Sequence, residues 1–375
     1  MTTFAPSPMS NLTDAHSRYD LAASTCPPLS IGELADPAEL AALALDYGTS
    51  RGDDELRTLL AEGTEVRAEQ VLVTVGAIEA LFLLAQASCG PGDHVLLATP
   101  CFPPTRIVPA GLGAVIDTLP LSFADGYRLP LGRLADALTP RTRLMSLASP
   151  QNPSGVRFTE AELHAAIDVV AQRAPQARIL VDETFRESTY GTDPVPPSIA
   201  GFSPRLVTCS SLSKALGAPG IRLGWLTTTD AELYEQLRTA KFHSTIACST
   251  VDEFLGVRVL RRRAEILGPR AELLGTQLAE LLDWTREQPV EIVRPDGGAI
   301  CCLRLPEAEF TDDAVTAFYA RLAENEVTVA AGSWFGDTDR VFRLGFGNLA
   351  PELFSTALDR LADAVKRARA GSASQ

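Results

Sequence analysis

A chain of 375 residues with 46% hydrophobic content can bury a sizeable core and has the length of roughly two domains. With 21% charged residues it belongs among ordinary globular proteins rather than disordered ones. A formal net charge of −14 argues against nucleic acid and anionic membranes as partners, and no apolar run approaches the ~20 residues of a membrane span.

The first ten residues lack the order of a charged region followed by an apolar one, so no secretory signal is read there. Seven scattered cysteines without a C-x-x-C pair indicate neither a disulfide framework nor a zinc site, and a cytoplasmic protein with reduced thiols is expected. The four histidines lie far apart in the sequence, and no metal site is expected. Residues 1–40 are expected to form an N-terminal segment that joins a smaller domain. Residues 41–255 form the expected large domain. Within it, 71–75 reads as a strand and 77–88 as a helix. Stretches 94–99, 114–119, 144–148, 179–181 and 206–209 read as further buried strands. An amphipathic helix over 159–173 is opened by Thr159. Strands alternating with helices imply βαβ units and a mostly parallel sheet, an α/β fold. From 231 to 282 the pattern is mainly helical, with a break near 244–250. Arg261, Arg262 and Arg263 fall there and read as a solvated face. Residues 256–375 mix strands (299–305, 327–330, 341–344) with two helices (311–324, 353–369), the pattern of a smaller α+β domain.

Ligands of open α/β sheets bind beyond the carboxyl ends of the strands, so the residues that follow each predicted strand carry the chemistry. Gly76-Ala77-Ile78 after the first strand opens a helix, where free backbone N–H groups and the dipole suit a phosphate. Phe102 follows the second strand. Gln151 and Asn152, in Gln151-Asn152-Pro153-Ser154-Gly155, follow 144–148. Asp182 follows an Ile-Leu-Val run, where a carboxylate is costly unless paired or hydrogen-bonded. Ser211-Leu212-Ser213-Lys214 follows 206–209. Only three lysines, Lys214, Lys241 and Lys366, stand among 33 basic residues. Arginine has taken over surface duty, and a retained lysine is suited to chemistry that needs a neutral amine. Lys214 lies among small and apolar neighbours, which favours a desolvated amine with a lowered pKa. Arg222, beside Gly220 and Gly224, has the reach to hold a phosphate in bidentate fashion, and a structural ion pair would look the same.

In order and spacing these residues resemble the class I/II aminotransferases, fold type I enzymes that use pyridoxal 5′-phosphate. The resemblance runs over residues 47–347 and rests on S-x-S-K followed by G-x-R-x-G, with Asn152-Pro-Ser-Gly, Asp182 and Arg343 in the same order. It implies a seven-stranded-type, mostly parallel sheet between helices and a smaller C-terminal domain. It implies that Lys214 holds the cofactor as a Schiff base and moves the Cα proton of an α-amino acid. Asp182 would keep the pyridine nitrogen protonated, so that the ring acts as an electron sink. Asn152 would bond the ring 3-oxygen and face the substrate, and Phe102 would stack on the ring. Gly76, Ala77, Ile78, Ser211, Ser213 and Arg222 would hold the phosphate. Arg343 would bind the substrate α-carboxylate as a planar fork. Tyr47, in Tyr47-Gly-Thr-Ser-Arg-Gly52, matches a tyrosine that reaches the phosphate of the neighbouring subunit, which implies a homodimer.

One departure stands out. Phe185 occupies the place of a tyrosine whose hydroxyl bonds the ring 3-oxygen; losing a bond to a charged acceptor costs about 1.5–3 kcal/mol. Gln151 precedes Asn152 where asparagine is more usual, and is expected to face the substrate. Two enzyme readings follow: an aminotransferase, or an enzyme of the same fold and cofactor that eliminates, decarboxylates, oxidises or cyclises in specialised biosynthesis. A non-enzymatic binding domain is a remote third, disfavoured by the acidic charge and by the 46 residues before Tyr47. Specificity is expected to come from loops near Cys26 and near 243–249.

Overall fold

The computed structural model describes residues 3–14 and 17–372; His16 lies outside them. Seven strands form one sheet: β1 (Val71–Val75), β2 (His94–Thr99), β3 (Val115–Pro120), β4 (Thr142–Ala148), β5 (Arg178–Asp182), β6 (Leu206–Ser211) and β7 (Leu223–Thr227). Their order is β1-β7-β6-β5-β4-β2-β3. Only β7 is antiparallel to its neighbours, β1 and β6. Side chains alternate across a strand, so each apolar run feeds two cores. Leu97, Leu144 and Leu180 pack on one face with α1 (Gly76–Ser88). Leu96, Met145 and Ile179 pack on the other with Leu163 and Val170 of a helix over Glu160–Arg173. Thr159 caps that helix by accepting the Glu162 N–H, as its sequence signature predicts.

The sequence reading misses β7. Its run Leu-Gly-Trp-Leu-Thr is short and broken by Gly224, and glycine weakens a strand pattern. The reason for that glycine is spatial: a Cβ there would lie 2.3 Å from the backbone nitrogen of Ala77. The predicted strand at 114–119 forms as β3 but is not buried. It is the sheet's edge, and Val115 is half exposed. Short helices over Asp54–Ala61, Pro103–Gly111 and Leu131–Ala137 also escape the pattern reading.

A second, antiparallel sheet of four short strands contains Ile300–Arg304 and Val341–Gly345. The helices Asp312–Glu324 and Pro351–Ser372 supply Phe318, Phe354 and Leu361 to its core. The predicted strand at 327–330 is two. Val327–Thr328 pairs with Tyr19–Asp20, and Ala330–Ala331 turns into the four-stranded sheet beside Arg343 and Phe342. The first of these pairings ties the N-terminal segment to this part of the chain. The helical stretch after 231 divides into Ala231–Phe242, Thr250–Arg261 and Arg263–Arg286, with the break where the sequence places it. The last of these carries Ile266 in the large-sheet core and Leu274 in the small-sheet core. Among the described residues no helix is long and apolar enough to cross a membrane.

Candidate active site

A cavity of ≈ 210 Å³ opens at the carboxyl ends of β5 and β6. It is lined by Ala77, Ile78, Phe102, Asn152, Asp182, Ser211, Ser213, Lys214, Arg222 and Arg343, so ten of the twelve residues singled out from the sequence meet there. Gly76 borders it: a Cβ at this residue, which has φ +69°, would lie 2.4 Å from Nη2 of Arg222. Tyr47 does not reach it. That side chain is 82% exposed in the single chain. A larger groove of ≈ 910 Å³ lies elsewhere, between Phe123, Arg304 and Arg340. Its charged walls are surface ion pairs such as Arg340–Asp312 at 2.5 Å.

Lys214 sits deep in the fold yet opens onto the cavity. Its Nζ donates to Oγ of Ser24 at 2.8 Å and lies 5.6 Å from the Phe185 ring. Burial lowers its pKa to about 8, helped by the positive charges of Arg343 and Arg222 and opposed by Asp182. An amine so placed is partly neutral near physiological pH. Asp182 ends β5. Its Oδ1 accepts from the Thr184 N–H at 2.9 Å and hydroxyl at 2.5 Å. Burial still pushes the carboxyl above the usual range, against the Thr184 donors and Lys214. A buried carboxylate in that state is stabilised by a further cation or N–H donor.

Arg343 is 1% exposed. Nη1 donates to Oδ1 of Asn152 at 3.0 Å, Nη2 to the Ala22 carbonyl at 2.7 Å, and Nε has no partner. The guanidinium carbon stands 4.9 Å from the Phe335 ring centre. Burial lowers this arginine to about 10. Its bond to Asn152 fixes the amide with oxygen toward Arg343 and leaves the amide NH₂ free to donate.

The donor set fits the cofactor on structural grounds. The first turn of α1 ends at the cavity with its N–H groups, and Ser211, Ser213 and Arg222 add hydroxyls and a cation, a set suited to a dianionic phosphate. The glycines at 76 and 224 leave room for backbone and Arg222 to converge there. At the far end stand an unpartnered buried arginine nitrogen, a desolvated carboxylate and an amine of lowered pKa.

Two expectations are corrected. Gln151 does not face the cavity. It is 2% exposed, donates to the Pro100 carbonyl at 2.6 Å and accepts from the Ser154 N–H at 2.9 Å, so it braces the turn that presents Asn152. Of the three arginines read as a solvated face, Arg261 and Arg262 pair with Glu55 and Glu265. Arg263 turns inward to the buried Glu187. Cavity residues absent from the sequence reading are Met9, Ser24, Thr25, Leu81, Thr184, Phe185 as a wall, and Pro219. Thr184 had a local signal, a hydroxyl two residues after an aspartate. Ser24 and Thr25 lie just before Cys26, next to the stretch named for specificity, and Met9 had no signal. The stretch 243–249 is mostly exposed and does not line the cavity within one chain.

The family description "Aminotransferase class I and II" matches residues 15–361. The arginine–pyruvate transaminase AruH of Pseudomonas aeruginosa is 30% identical over 335 residues, 82% of each chain. Capreomycidine synthase of Streptomyces vinaceus is 29% identical over 90% of this chain and 87% of its own. A crystal structure of a PLP-dependent aminotransferase from Streptococcus suis superposes with a TM-score of 0.88 at 25% identity, covering 97% of this chain and 98% of that one. The chain belongs to the class I and II aminotransferases, with their α/β fold and with pyridoxal 5′-phosphate as cofactor.

Proposed function

We propose that the chain is a transaminase of α-amino acids in which Lys214 both anchors the cofactor and carries the Cα proton. The observation that carries the reading is the Lys214 amine, lowered to about 8 and set between Asp182 and Arg343 in one cavity. Bound pyridoxal phosphate supplies a protonated ring that takes up the electron pair released at the substrate Cα. Arg343 holds the substrate carboxylate with N–H groups left over from Asn152 and Ala22. This orients the Cα–H bond toward the Lys214 amine, whose pKa near the working pH suits proton transfer. The Asp182 carboxylate, braced by Thr184, would hold the ring nitrogen as a protonated donor. Asn152 would serve the ring oxygen. Ser211, Ser213, Arg222 and the N–H groups of 76–78 would hold the phosphate, and Phe102 would flank the ring.

The dimer reading is supported by an exposed apolar face. Leu45, Tyr47, Ile78, Phe242 and Ile246 are all exposed. Thr245 donates to Glu79 at 2.7 Å, and Lys241 to the Ser50 carbonyl at 2.9 Å, so the three segments adjoin. A two-fold partner lays the same face against it, and Tyr47 then reaches the other subunit's phosphate. Phe185 favours the second reading, a non-transaminating outcome, because it lines the cavity without a hydroxyl to offer the ring oxygen; one relative is named a synthase. Borohydride reduction of the holoenzyme followed by peptide mapping tests the anchor, with the tag expected on Lys214. Amino acids given without a keto-acid acceptor separate the outcomes. One equivalent converted to the pyridoxamine form supports transamination, whereas catalytic release of ammonia or carbon dioxide supports the second.

A further inference from the structure

Resting on that reading, we propose that Ser24 is a positioning residue for the Lys214 amine, holding it in place whenever substrate has displaced it from the cofactor. The amine carries the Cα proton, and it hangs on a flexible four-carbon stem. Proton transfer is fast only when the two reacting groups are held in the right geometry, so a mobile amine needs a fixed partner. Oγ of Ser24 is placed to be that partner and accepts from Nζ at 2.8 Å. A hydroxyl suits both states of the amine. It accepts from the ammonium form and donates to the neutral one, so one contact serves before and after the proton is taken up. The other groups near Nζ have only part of this ability. The Phe185 ring, 5.6 Å away, has no hydroxyl, and the Asp182 carboxylate only accepts and has its own task at the ring nitrogen.

Ser24 is itself held by the chain around it. Oδ1 of Asp20 accepts from the Ala22 and Ala23 N–H groups at 2.9 and 3.0 Å, which bends the segment there. The Leu21 carbonyl accepts from the Gly345 N–H at 2.7 Å, and the Cys26 N–H donates to the Lys214 carbonyl at 3.2 Å. Arg270 grips both sides, donating to the Ala215 carbonyl at 2.8 Å and to the Pro27 carbonyl at 2.6 Å. Two glycines make the room. A Cβ at Gly345 would lie 1.7 Å from the Ala23 carbonyl oxygen, and one at Gly217, which has φ +59°, 2.3 Å from that of Pro27. The segment is therefore wedged between the turn of Lys214 and the strand of Arg343. Two residues before Ser24, the Ala22 carbonyl accepts from Nη2 of Arg343 at 2.7 Å. One short stretch of backbone thus sets the spacing between the guanidinium that binds the carboxylate and the amine that moves the proton.

The first test uses the cofactor-free full chain and needs no substrate. Capture of pyridoxal phosphate is followed by stopped-flow absorbance across pH in wild type, Ser24→Ala and Ser24→Thr. The bond from Nζ favours the charged amine, so its loss in Ser24→Ala is expected to lower the pH midpoint of capture by about one unit. Ser24→Thr keeps a hydroxyl and is expected to restore the midpoint. The second test uses the holoenzyme and the amino acid that converts it fastest to the pyridoxamine form. In Ser24→Ala the maximal rate of that conversion is expected to fall about 10-fold, with little change in the half-saturating concentration. The isotope effect of the α-deuterated amino acid is expected to rise, because proton transfer has become the slower step. An unmoved midpoint in Ser24→Ala, or an unchanged conversion rate, overturns this inference alone. If no amino acid converts a protein that carries its cofactor on Lys214, the transaminase reading falls, and the capture midpoint still decides whether Ser24 holds the amine.

Discussion

Two lysines are held inside this protein, and their surroundings give them opposite characters. Lys241, at the end of Ala231–Phe242, is wholly buried, donates to the Ser50 carbonyl at 2.9 Å and has the Glu253 carboxylate nearby. Its charge is answered. Lys214 faces two arginines and only one carboxylate, and donates to a neutral hydroxyl. Its charge is resisted. Burial is the main cause of Lys214's lowered pKa, and the two arginines beside it add to the effect.

The comparison breaks most sharply if both lysines are removed in turn. Lys214→Ala is expected to lower turnover by about 10³-fold or more while the cofactor-free fold stays at least as stable, because a resisted charge has been deleted. Lys241→Met is expected to do the reverse. Turnover per folded molecule stays near wild type, and unfolding free energy falls by about 1–3 kcal/mol as the Ser50 carbonyl and Glu253 lose their partner. Burial raises Glu253 to about 7. Its contribution to stability is full below its ordinary pKa near 4.5 and is lost as pH rises through about 7. The Lys241→Met loss should therefore be larger at pH 8 than at pH 5 in urea titrations.

The difference between the lysines was half legible in the sequence. Lys214 follows a buried strand among serines, and its neighbours in the cavity stand at the ends of other strands, so strand-end pattern together with the family resemblance picked out most of the residues that line the cavity. Lys241 sits in the predicted helical stretch with nothing local to mark it as buried; Ser50 and Glu253 are brought to it by tertiary packing. The same holds for Arg263 and for Gln151, whose partners Glu187 and Pro100 are set by tertiary packing. Met9 and Ser24 reach the cavity because the segment carrying them runs with Val327–Thr328 and across the end of Arg343's strand, where the Gly345 N–H donates to the Leu21 carbonyl. Such a path has no signature in residues 1–40. The strand β7 was hidden by Gly224, the residue its close approach to Ala77 requires.

Lys214's lowered pKa sharpens the comparison through pH. A neutral amine must attack the cofactor aldehyde, so capture of pyridoxal phosphate by the cofactor-free protein is expected to quicken about tenfold per pH unit up to about 8 and then level off. Stopped-flow absorbance measures this directly. An unperturbed lysine would keep rising towards 10.5. Between about 8 and 10.5 the unfolded chain holds the Lys214 proton and the folded one does not, so the cofactor-free protein should gain stability as pH rises over that window.

The smallest expected effect concerns the ring beside Lys214. Phe185 is buried, lines the cavity and lies 5.6 Å from the amine. It covers the amine with carbon and offers the ring oxygen no hydrogen. Phe185→Tyr restores one donor, and a bond to a charged acceptor is worth about 1.5–3 kcal/mol, or roughly one to two units of pKa. The pH midpoint of the bound cofactor's absorbance should therefore fall by about one unit, with little change in Tm. If the midpoint does not move, the new hydroxyl points away from the ring oxygen. Phe185 then acts only as a wall, and the case for a non-transaminating outcome loses the observation on which it stands.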